Sequence, residues 1–124
     1  MKVLLSIKPE FAEKILSGDK KYEFRRTLFK NTSISKVVIY ASSPIQKVIG
    51  EFDIETLLSL HVDDLWKKTK KHSGIEEDFY YEYFNGKDIA HAIKVKSAKR
   101  YKKPKDLANY DIAYPPQSFM YLAV

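Results

Sequence analysis

The sequence predicts an α+β fold, on three observations. Short β-branched or alternating runs are mixed with amphipathic helical runs, the two do not alternate as regular βαβ units, and Gly and Pro punctuate the joins between them. At 124 residues with a hydrophobic share of 44% and an aromatic share of 14%, the chain suits one packed domain over 1–124 and argues against intrinsic disorder.

Val3, Leu5 and Ile7 alternate with Lys2, Leu4 and Ser6, which predicts a first strand with at least one buried face. Pro9 fits the first turn of a helix, where its missing N–H costs nothing. Phe11, Ala12, Ile15 and Leu16 form that helix's apolar stripe, and Gly18 ends it by taking the left-handed cap conformation. A second strand is expected over Tyr22 to Arg26 and a third at Val37 to Tyr40, closed by Ser42-Ser43-Pro44. Lys47 to Ile54 alternates, with Val48, Phe52 and Ile54 expected on one side; Gly50 marks a bulge or a close backbone approach.

Val62, Leu65, Trp66 and Thr69 share a helical face, with acids in the first turn and lysines toward the end, an order that complements the helix dipole. After Gly74, Phe79, Tyr80, Tyr83 and Phe84 have the spacing of a core-facing stripe on a further helix. Ile89 to Tyr101 reads as a long strand and Phe119 to Val124 as the last.

The charge balance, 22 Lys and Arg against 16 Asp and Glu, gives +6 and favours a polyanionic partner. With no cysteine, disulfide scaffolds, cysteine zinc sites and thiol nucleophiles are excluded. His61, His72 and His91 lie too far apart for metal-ligand spacing, so no metal and no cofactor are implied. No apolar run reaches the length of a membrane span, and the opening residues make a poor signal peptide; the expectation is a cytoplasmic protein with no membrane partner. P-loop, dinucleotide and nucleophile-elbow motifs do not occur.

Two cationic segments remain. In the first, alternation places Lys21, Glu23 and Arg25 on one strand face, so the carboxylate is flanked by cations and held ionised. Lys8, Lys20 and Arg26 lie close by in the sequence. The cluster suits either a base-and-phosphate site or a solvated ion-pair strip on an edge strand. The second segment is Lys94, Lys96, Lys99, Arg100, Lys102, Lys103 and Lys105, with Tyr101 inside it. That is the composition of a backbone-tracking surface for nucleic acid, and equally of a lysine-protected strand edge. The lysines from 67 to 71 read as a solvated helix face. Tyr40, Ser42 and Ser43, at the end of a strand, are candidate wall groups, although turn capping accounts for the serines as well.

The run L-S-I-K-P-x-x-A-x-K-I-x-x-G-x-K-x-Y-E-F-R, with Val37 to Pro44 and Gly50-Glu51-Phe52 after it, resembles the ASCH family of the PUA-like superfamily. The branch it resembles comprises small prokaryotic proteins described as predicted transcriptional regulators with PUA-like domains. Gly74-Ile75, Tyr83-Phe84 and Pro116-Gln117-Ser118-Phe119 extend the resemblance over nearly the whole chain. It implies a small mixed β-barrel with helices packed around it, a cleft beside the first helix, and RNA or nucleotide binding.

Some members of the family hydrolyse acylated nucleosides or RNA. Of the Lys, Thr and Glu of the amidohydrolase branch, the Lys falls on Lys20 and the Thr on Glu23, so that nucleophile is absent. The resemblance also groups Lys20, rather than Lys21, with Glu23. The expected function is recognition of a base, nucleotide or single-stranded RNA. Lys8, Lys20 and Arg25 would take anionic groups and Glu23 a base or ribose donor. Tyr40, Ser42, Ser43, Gln117 and Ser118 would be wall groups, with the β-strand lysines outside the cleft. The alternatives are a small hydrolase, with Lys20 as general base at a pKa lowered by neighbouring cations and Glu23 as proton shuttle, and an adaptor that binds a small metabolite.

Overall fold

The computed structural model describes residues 1–122, in the order β1 (Lys2–Ile7), α1 (Pro9–Ser17), β2 (Tyr22–Arg25), β3 (Lys36–Ala41), β4 (Lys47–His61), α2 (Val62–Thr69), α3 (Glu77–Tyr83), β5 (Ile89–Lys105) and β6 (Phe119–Leu122). The fold is α+β, as the mixed patterning predicts. The last two positions of the expected final strand, Ala123 and Val124, lie outside the described residues. Among the described residues no helix is long and apolar enough to cross a membrane.

One six-stranded sheet runs β2-β5-β4-β3-β1-β6, antiparallel except for the β1–β3 pair. Among the described residues backbone ladders do not close it, yet its two edges meet. The Arg25 guanidinium at the end of β2 donates to the Ser118 carbonyl (3.0 Å) and hydroxyl (3.1 Å), just before β6. The barrel is thus a curled sheet fastened by side chains across the gap between its edge strands.

Both faces of β1 are buried. Val3, Leu5 and Ile7 pack with Val37, Ile39, Phe52 and Ile93 under Ala12 and Ile15 of α1. Leu4 packs with Val38, Tyr40 and Val48 on the other face, beneath Leu107, Tyr110 and Ile112. A third cluster seats Leu65, Trp66, Tyr80 and Phe84 of α2 and α3 on Tyr22, Phe24, Ala90 and Ala92.

β4 is longer than the alternation predicts, and Val48 does not share a side with Phe52. The ladder registers shift near Gly50, and the extra residue swaps the faces. Gly50 itself marks a close approach: a Cβ there would stand 2.6 Å from the Lys99 carbonyl oxygen. Gly18 caps α1 at φ 90°, as expected.

Candidate functional site

Three features of α1 and its turn build the site. Pro9 starts the helix directly after β1, so Lys8 stands at its N-terminus. Gly18 then reverses the chain, and the Lys20 N–H donates to the Lys14 carbonyl (3.0 Å) while the Lys21 N–H donates to the His72 carbonyl (2.9 Å). These bonds turn Lys20 inward and Lys21 out to solvent before the alternation of β2 begins. The cation grouped with Glu23 is therefore Lys20, as the family resemblance implies and strict alternation does not.

A pocket of about 300 Å³ opens beside α1. Its charged lining is Lys8, Lys20, Glu23 and Arg25; Phe11, Phe24, Phe79 and Tyr83 supply aromatic walls. Ser6, Ile7, Ile75 and Gln117 complete it.

Lys20 is only 2% exposed. Its ammonium donates to the Ser73 carbonyl at 2.6 Å and lies 4.7 Å from the Phe24 ring centroid and 5.3 Å from that of Phe11. Gly74, at φ 71°, makes room for its stem: a Cβ at Gly74 would stand 2.6 Å from the Lys20 Cβ and Cγ. Burial lowers the amine's pKa to about 8; Glu23 opposes that shift, and Lys14 adds to it only as a lesser cause. Desolvation rather than neighbouring cations thus does most of what the sequence reading assigned to charge. Below pH 8 the folded chain carries the cost of a buried ammonium. Between pH 8 and 10.5 the unfolded amine still holds a proton that the folded one has released, so stability rises with pH. Urea unfolding should show this rise, of about 3 kcal/mol at most, and Lys20→Met should remove it.

Glu23 is 6% exposed, and burial raises its carboxyl above the ordinary range despite Lys20 and Arg25. Oε2 accepts from Arg25 Nη1 at 3.2 Å. No described protein group donates to Oε1, which is not sealed from solvent. Arg25 is committed to the protein: besides Glu23 and Ser118, it donates to the Ser6 carbonyl at 3.4 Å. The Ser6 hydroxyl donates to the Pro116 carbonyl at 2.7 Å, so residues 116–118 are pinned to β1 and β2 together. That places Gln117 in the wall. Lys8, exposed at the mouth, lies 5.5 Å from the Phe79 ring centroid.

The structure thus gathers Lys8, Lys20, Glu23, Arg25 and Gln117 on one pocket, with Ser118 behind Arg25. It does not bring Tyr40, Ser42 or Ser43 into the lining. Tyr40 is buried in the cluster on the opposite face, Ser43 is exposed in the turn before Pro44, and Ser42 donates its N–H to the Ile7 carbonyl of β1 (2.9 Å).

The expected core stripe of α3 also divides. Tyr80 and Phe84 are core, whereas Phe79 and Tyr83, ring planes 7° apart, are pocket wall. Seven residues make two helical turns, enough to serve both sides; the spacing alone does not tell them apart.

On β5, Lys94 pairs with Glu55 at 2.7 Å, Arg100 pairs with Glu13, and Lys105 lies over Tyr101. Lys96, Lys99, Lys102 and Lys103 have no acidic partner within salt-bridge distance among the described residues.

The ASCH domain family model matches residues 5–99. The Large ribosomal subunit protein uL22 of Ureaplasma parvum is 37% identical over 123 residues; the match covers 97% of this chain, which spans only 39% of that protein. The ASCH domain-containing ribonuclease of Zymomonas mobilis is 32% identical over 126 residues, covering 96% of this chain and 82% of the ribonuclease. The crystal structure of ASCH from Zymomonas mobilis superposes with a TM-score of 0.89 at 31% identity, over 98% of this chain and 87% of that one.

Proposed function

Because the chain belongs to the ASCH domain family, we propose that its pocket binds a single nucleotide of an RNA strand, base inward between the aromatic walls. The observation that carries this is the state of Glu23: a buried carboxylate with one oxygen held by Arg25 and the other without a described protein donor. Burying a carboxylate is costly unless its hydrogen bonds are satisfied, and a base N–H or a ribose hydroxyl would complete the set. Lys20 stands across the same pocket to donate to a base carbonyl or an anionic oxygen, and Lys8 stands at the mouth for phosphate. Outside it, the lysines of β5 without acidic partners offer a phosphate track narrower than the sequence suggests, because Lys94 and Arg100 are already paired.

The test is the affinity for labelled single-stranded RNA as salt rises. With about three phosphates neutralised, affinity should fall roughly 20-fold between about 50 and 200 mM salt. Flat salt dependence, or no binding at the lower salt, would contradict the reading.

A second reading, ribonuclease chemistry, is favoured by the Lys20 amine at about pKa 8 together with the Zymomonas relative's name. At neutral pH such an amine is mostly protonated. The balanced assignment makes the Glu23 carboxylate the acceptor of the 2′-hydroxyl proton and the Lys20 ammonium the donor to the departing 5′-oxygen, as the 2′-oxygen–phosphorus bond forms. RNA turnover lost in both Lys20→Ala and Glu23→Gln, with folding intact, would support it.

A further inference from the structure

Tyr114 is 81% exposed, the most of any large apolar side chain described, and belongs to none of the three core clusters. The other exposed aromatic residues have work in the fold. Phe79 packs on Phe11 and Tyr83, Tyr81 donates to Asp63, and Tyr121 accepts from the Lys30 and Asn31 N–H groups. Among the described residues no hydrogen bond or ring contact of this kind holds Tyr114.

Its setting is nevertheless rigid. Pro115 and Pro116 follow it, each with φ fixed by its ring, and a residue before proline is kept extended. The Pro116 carbonyl is anchored by Ser6, Gln117 lines the pocket and Ser118 is held by Arg25. Tyr114 is thus three residues from the pocket wall, a chain distance of about 11 Å at most. An aromatic ring on a stiff tether beside a one-nucleotide pocket loses little freedom when a base stacks on it, and stacking tolerates any base.

We propose that Tyr114 is a stacking platform for the base adjoining the one in the pocket, so that the site takes a strand in preference to a free nucleotide. This rests on the pocket reading above. The experiment compares the wild type, Tyr114→Ala, Tyr114→Trp and Glu23→Gln in binding two probes: nucleoside 5′-monophosphates and a short single-stranded RNA of mixed sequence.

Tyr114→Ala should weaken the RNA about 5- to 100-fold and leave the monophosphates unchanged, while Tyr114→Trp retains wild-type affinity for both. Equal RNA affinity in Tyr114→Ala and wild type overturns the platform. So does an equal loss for both probes, which would make the residue a support for Gln117. In either case Glu23→Gln still weakens both probes if the pocket reading stands. A wild type that binds neither probe overturns both.

Discussion

Glu23→Gln lowers the affinity for single-stranded RNA by about 10- to 100-fold and leaves the protein at least as stable as the wild type. The amide keeps the shape and an oxygen for Arg25 but loses the charge, and a hydrogen bond to a charged acceptor contributes about 1.5–3 kcal/mol. The stability half follows from burial. Desolvation raises the carboxyl's pKa, so its ionised form is a cost to the folded state at neutral pH. The sign is that of a raised acid: stability is fully present below its unfolded pKa and lost as pH rises through the folded one, and glutamine removes that loss. If Glu23 served only to neutralise Arg25, RNA affinity would not change. Equilibrium binding and a urea titration of the same preparation decide it.

Arg25→Met is the most destabilising substitution at the site, at about 3–5 kcal/mol. It removes the donors to Glu23, to the Ser6 carbonyl and to both Ser118 oxygens, and leaves a buried carboxylate without its guanidinium. It also unfastens the two edges of the sheet, which no backbone ladder joins among the described residues. In the double variant Glu23→Gln/Arg25→Met no carboxylate is stranded, so part of the loss should return, less whatever the buried Lys20 ammonium loses with its counter-charge. The fastening of residues 116–118 should not. A urea-unfolding double-mutant cycle separates the two contributions, and a double variant as unstable as Arg25→Met would show that stranded charge is not the main cost.

Local patterning was enough to read α1, its Gly18 cap and the strand after it, because each depends on residues a few positions apart. The tight approach at Gly50 was legible from glycine chemistry. Which face Val48 takes was not, because the register shifts depend on pairing with distant β3 and β5. The placing of Lys20 over Lys21 turns on hydrogen bonds to Lys14 and to His72, the latter far along the chain. Tyr40, Ser42 and Ser43 illustrate the limit of a strand-end argument. β3 lies parallel to β1 and its end does come beside Ile7, but the tyrosine points into the opposite core. Which half of the α3 stripe forms the pocket wall is set by α1 packing against it, with Phe11 on Phe79, a long-range contact that spacing within α3 does not encode.

The most direct measurement is a side-chain carbon NMR titration of the Glu23 carboxyl and the Lys20 ε-methylene with single-stranded RNA. Both signals should move and saturate at the RNA concentration that saturates binding. If they stay still while only the exposed lysines of β5 respond, the strand binds to the outer surface and the pocket is not where RNA is recognised.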